Sequence, residues 1–75
     1  MSIRFFLVDG TMQERYLWAR RLQIELEAIR LINSPKDIYG FQGGEIIFGQ
    51  TGQSEGMSDI LAYARTHDIR TFQDS

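Results

Sequence analysis

Residues 11–32 read TMQERYLWARRLQIELEAIRLI, and the fold turns on whether this stretch is one helix. Thr11-Met12-Gln13-Glu14 has the form of a capping box, in which the threonine hydroxyl accepts from the Glu14 amide and the Glu14 carboxylate reaches back. The residues that follow are rich in Leu, Ala, Glu, Gln and Arg, which favour helix. Neither Gly nor Pro interrupts them, and the run is too long for a typical strand. The stretch is therefore predicted to be one helix over 11–32, ended by Asn33-Ser34-Pro35. A β-meander through Tyr16, Trp18, Leu22, Ile24 and Leu26 is the alternative, since Asp9-Gly10 is a hairpin signal and 22–26 alternates with period two.

At about 100° per residue, Trp18, Leu22, Leu26 and Ile29 share one side of such a helix, with Ala19 at its margin. Leu17, Ile24, Ala28 and Leu31 share another. A helix laid on a sheet buries one stripe, so the second is expected to face water or a partner. Arg20, Arg21, Glu27 and Arg30 flank it and could form a charged rim, with Ala28 allowing close approach.

Outward from this stretch, residues 3–8 read as a short strand, apolar on both alternating faces and so central in a sheet. Residues 38–42 and 45–49 read as two strands joined by Gly43-Gly44, a pair able to take positive φ in a tight hairpin. The first holds Gly40 and follows Pro35, as an edge strand does. The second carries Ile46, Ile47 and Phe48 and looks more buried. A polar glycine loop, 49–56, leads to a second helix over about 55–67 with Ser54 as its N-cap and Met57, Ile60, Leu61 and Ala64 on one face. A last strand covers 69–72.

The order β-α-β-β-α-β is the ferredoxin-like pattern. The expected fold class is α+β: one domain over residues 1–75, with two helices on one face of a four-stranded antiparallel sheet and the first and third strands at its centre. If the Gly43-Gly44 hairpin does not form, a Rossmann-like βαβαβ results.

Composition narrows the function classes. The chain has 75 residues, 43% hydrophobic and 24% charged, a globular profile with a small core. Cysteine is absent, which excludes disulfides, thiolate metal sites and thiol nucleophiles. The first apolar run is too short for a signal peptide and nothing reaches the length of a membrane span, so the expected location is the cytoplasm. A net charge of −2 argues against general nucleic-acid binding, although four of the seven arginines (Arg15, Arg20, Arg21, Arg30) lie in 11–32. Aromatics in the first and third strands invite comparison with RNA-recognition domains, but the basic Gly-aromatic signature is missing.

No metal-ligand spacing, cofactor motif or catalytic constellation is present, and the lone His67 sits where a helix dipole explains it. Loop 49–56 lies between a strand and a helix start, where phosphates often bind, but lacks Gly-Lys-Ser/Thr and Gly-x-Gly-x-x-Gly. The run of strand, glycine loop, helix and strand resembles the nucleotide-binding SLOG-type Rossmann proteins over about a third of the chain. That resemblance implies nucleotide binding.

The expected function is non-enzymatic protein binding with no cofactor. The chain would act as a homodimer, adaptor or inhibitor, by compositional analogy with phage-encoded inhibitors of host defences. It would use Leu17, Arg20, Arg21, Ile24, Ala28 and Leu31 against a protein partner or a second copy of itself. The alternative is a small-molecule or nucleotide sensor using Thr11, Gly49, Thr51, Gly52 and Ser54.

Overall fold

A computed structural model describes residues 3–49 and 56–73. Four strands, β1 (Phe5–Val8), β2 (Ile29–Ile32), β3 (Glu45–Phe48) and β4 (Arg70–Thr71), form one sheet in the order β2-β1-β3-β4. Every pairing is parallel, with Phe5 opposite Ile29 and Glu45, and Glu45 opposite Arg70. This overturns the antiparallel ferredoxin-like sheet. The centre was placed correctly: β1 and the Glu45 strand are the two inner strands, and all four residues of β1 are buried. Their relative direction differs from the expectation.

The cause lies within 11–32. Helix α1 spans Met12–Leu22 only. Its start matches the capping box: Thr11 Oγ1 accepts from the Glu14 amide at 3.1 Å, and the Thr11 amide donates to Glu14 Oε1 at 3.0 Å. It ends at Gln23, which adopts φ 57°, ψ 45° without being glycine. The Gln23 amide donates to Arg20 O at 3.3 Å and the Ile24 amide to Ala19 O at 3.0 Å, the pairing of a Schellman stop. A left-handed non-glycine residue costs about 1–2 kcal/mol. Ending the helix there lets 24–32 turn back to the sheet as a short 3-10 turn (Leu26–Ala28) and β2. Ala28, Ile29 and Ile32 become buried, and Ile24, Leu26 and Leu31 pack against the core. At about 25 cal/mol per Å² of apolar area, burial of several such side chains outweighs that strain. The Arg15 guanidinium donates from Nε to Ile29 O at 2.8 Å, tying the helix to edge strand β2.

The predicted strand over 38–42 and its hairpin are also absent. Ser34, Pro35 and Asp37 build a second 3-10 turn (Pro35–Asp37) instead. Ile38 is fully buried, and the Phe41 ring meets Phe6 edge-on at 5.3 Å. The Tyr63 hydroxyl accepts from the Gly40 amide and donates to Phe41 O, both at 2.9 Å, fixing this segment to helix α2 (Met57–Thr66). Gly43 and Gly44 do take positive φ, 80° and 109°. At Gly44 the reason is close approach: a Cβ there would lie 3.0 Å from Arg4 O and from the Phe6 ring, whereas one on Gly43 would meet nothing within 4 Å.

The result is a three-layer α/β/α arrangement. On one face Phe5, Leu7, Ile29 and Ile47 meet Ala19, Trp18 and Leu22 of α1. On the other, Phe6, Val8, Ile32 and Ile46 meet Ile38 and, from α2, Ile60 and Ala64. Strands buried on both faces read as continuous apolar runs, as FFLV does and as Ile46-Ile47 does at the middle of β3. Among the described residues no helix is long and apolar enough to cross a membrane.

Candidate functional site

In this sheet β1 is followed by α1 on one face, whereas β3 leads to α2 on the other. Between β1 and β3 the chain order reverses, which makes the carboxyl ends of these two strands the switch point of the sheet. The backbones of the two loops touch there. The Gly49 amide donates to Val8 O at 2.8 Å. A Cβ on Gly49 would lie 2.5 Å from Asp9 O and 2.8 Å from Gly10 Cα, and one on Gly10 would lie 2.3 Å from Leu7 Cγ. Both glycines are therefore required for contact, since neither has a left-handed φ. Asp9 does have one, φ 58°, and its Oδ2 is shielded from solvent.

Two further segments meet beyond the carboxyl end of β2. Gly56, at φ 85°, is the N-cap residue of α2 and provides no side-chain cap. A Cβ there would sit 2.5 Å from Pro35 Cγ, so the start of α2 abuts the turn after β2. That turn is held by Asp37, whose Oδ2 accepts from the Asn33 amide at 3.1 Å and the Ser34 amide at 3.2 Å. The Asn33 amide holds the Asp37 carboxyl below its usual range. Partial burial opposes this, while the Ser34 amide and hydroxyl and the Arg30 charge reinforce it.

Beside α1 and the end of β3 lies a slot of about 230 Å³ lined by Glu14, Leu17, Trp18, Arg21 and Phe48. Leu17 is 59% exposed and Phe48 44%. The Arg21 guanidinium covers the Trp18 ring at 4.9 Å, and Phe72 meets that ring edge-on at 5.5 Å.

The sequence-derived candidates divide accordingly. Of the supposed outer stripe only Leu17 faces outward from the helix; Ile24, Ala28 and Leu31 lie beyond its end and turn toward the core. Arg20 and Arg21 are exposed on its last turn. No continuous stripe joins these six residues. Gly49 touches Asp9 and Gly10, the residues just before Thr11, and the Thr11 hydroxyl and amide are engaged in the cap. Thr51, Gly52 and Ser54 lie outside the described residues. His67 stacks on Tyr63 at 3.7 Å, and its Nδ1 is 3.0 Å from Tyr63 O and 2.8 Å from Thr66 Oγ1. Among the described residues no group of three or more His, Asp or Glu could hold a metal ion.

Sequence reading missed Phe48 as a surface residue and Asp37 as a fixed carboxylate. Phe48 carried no distinguishing signal in an apolar run. Asp37 did, because Ser34-Pro35-Lys36-Asp37 has capping-box spacing with Pro at N1. No protein-family model, curated protein or solved structure matches the chain.

Proposed function

We propose that this chain binds a small phosphorylated metabolite, most simply a nucleotide, in the crevice between the carboxyl ends of β1 and β3. The observation that carries this reading is the all-parallel strand order β2-β1-β3-β4. In open parallel sheets, ligands bind outside the carboxyl ends of the strands, where the order reverses. Two features of the carboxyl edge of the sheet favour an anion. Gly10 and Gly49 leave the loop backbones bare of side chains there, so a ligand can come close to the main chain. Helix α2 begins at a glycine with no capping side chain, and the positive end of its dipole favours negative charge. Lys36, beside the Pro35 that packs on Gly56, is the one lysine of the chain and a candidate counter-charge.

The test is calorimetric titration of the purified chain with nucleotides and inorganic phosphate, paired with thermal melting. A ligand at one hundred times its Kd stabilises by about 2.7 kcal/mol. For a domain of this size that raises the Tm by roughly 10–20 °C. Unchanged melting across nucleoside mono-, di- and triphosphates at millimolar concentration would remove the proposal.

A second reading, protein binding through α1, is favoured by the exposure of Met12, Tyr16 and Leu17 on the helix. Leu17→Glu is its probe, because that side chain leaves the fold's core untouched. Ile24→Glu is not suitable, since Ile24 packs against the core. Self-association or complex formation that survives Leu17→Glu and Tyr16→Glu together would count against this face.

A further inference from the structure

We infer that the slot beside the crevice receives the ligand's planar ring, so that the site selects nucleotides over simple phosphates; this rests on the crevice reading above. The slot and the crevice share their borders. Glu14 lines the slot, and its carboxylate also accepts from the Thr11 amide at the crevice rim. Phe48 lines the slot and is followed directly by Gly49, whose backbone touches Asp9 and Gly10. A ligand with its ring between α1 and the end of β3 would carry its anionic group outside the slot, beside the closed backbone contact of Gly10 and Gly49.

Size and chemistry identify that other end. Pockets that enclose a whole drug-sized ligand measure about 300–1,000 Å³. A slot of about 230 Å³ takes one ring system and leaves the rest of the molecule outside. Leu17, Trp18 and Phe48 give it apolar and aromatic walls, with one carboxylate and one guanidinium beside them. A bare phosphate or sugar phosphate gains little from such walls, whereas a nucleobase gains dispersion and stacking and can hydrogen-bond at its edges. Trp18 is held between Arg21 and Phe72, so the wall is set before the ligand arrives. The exposure of Leu17 and Phe48 also acquires a reason, because these apolar side chains are covered only when a ring is present.

The experiment titrates the four nucleoside monophosphates, ribose 5-phosphate and inorganic phosphate into the wild-type chain, Phe48→Ala and Leu17→Ala. Loss of one base-stacking contact costs roughly 5- to 100-fold in affinity. At least one nucleoside monophosphate should bind wild type tighter than ribose 5-phosphate by about that factor. Phe48→Ala or Leu17→Ala should erase the advantage and leave ribose 5-phosphate binding unchanged. Both side chains are exposed, so unliganded melting should stay near wild type; that measurement separates a lost wall from a damaged fold. If every nucleotide binds wild type no better than ribose 5-phosphate, or if both variants weaken all ligands equally, the slot inference falls and the crevice reading survives. If none of the six compounds binds, both fall.

Discussion

Gly49→Ala tests the parallel arrangement and the switch point together. The substitution adds one methyl group at a position with no left-handed φ, so backbone strain does not enter. The new Cβ would stand 2.5 Å from Asp9 O, 2.7 Å from Asp9 C and 2.8 Å from Gly10 Cα, all backbone atoms. Ordinary carbon contacts lie at about 3.5–4.0 Å, so the two loops must separate by roughly 1 Å. The Gly49 amide to Val8 O bond, now 2.8 Å, is the contact most exposed to that movement. Its loss costs about 0.5–1.5 kcal/mol, and overpacking adds about 1–3 kcal/mol. The total is about 2–4 kcal/mol, or a Tm lower by roughly 10–30 °C for a small domain. Urea denaturation followed by circular dichroism gives the free energy directly. A value within about 0.5 kcal/mol of wild type, the range of an ordinary surface change, would refute the reasoning. In an antiparallel β1/β3 pairing Gly49 would lie at the far end of the sheet from Asp9 and Gly10, and the alanine would be tolerated.

Three other outcomes follow from the packing and the caps. Ile60→Ala removes a fully buried side chain between α2 and the sheet and should cost about 2–5 kcal/mol in the same urea assay. Thr11→Ala breaks the capping box of α1 and should cost about 1 kcal/mol, with Thr11→Ser recovering most of it. Asp37 has a lowered folded pKa, led by the Asn33 amide. Its stabilising contribution is therefore complete above the unfolded carboxylate value of about 3.9. It fades as the pH falls through that value toward the folded pKa, where protonation ends the preference for the charged form. Asp37→Asn should be less stable than wild type at pH 7, and the gap should narrow on acidification, as read from Tm against pH.

How much of this fold was legible depended on whether the deciding signal was local. The capping box at Thr11 and Glu14 was, because a hydroxyl and a carboxylate three residues apart can satisfy each other's backbone amides whatever surrounds them. Helix α2 was readable from its one apolar face, and the central position of β1 and β3 from their unbroken apolar runs. The stop at Gln23 was not. A left-handed glutamine is locally unfavourable and has no glycine to announce it. It is held because Ile24 through Ile32 gain burial in a sheet that exists only once the chain has folded. The same residues satisfy a helical period and a strand, so periodicity alone could not divide them at 22. With the helix extended to 32, the second strand had to be sought later, and Gly43-Gly44 then invited a hairpin. Gly44 needs its freedom, but for contact with Arg4 and Phe6 rather than for a turn between paired strands.

The site was legible in fragments that seemed to belong to rival functions. Thr11 and Gly49 were read for a ligand, and Leu17 and Arg21 for a protein partner. Strand direction is what unites them. Because β1 and β3 run the same way, the loop before α1 and the loop after β3 emerge at one rim. Helix α1 then brings Glu14, Leu17, Trp18 and Arg21 beside Phe48. An antiparallel pairing would have put Thr11 and Gly49 at opposite ends of the sheet. The apolar exposure of Leu17 thereby changes meaning: it is no longer one member of a long stripe, since Ile24, Ala28 and Leu31 are drawn inward. It is one wall of a slot that Glu14, Trp18, Arg21 and Phe48 complete. A protein surface and a ring slot make different demands on Leu17→Ala: the first predicts lost association without any change in nucleotide affinity, the second predicts the reverse.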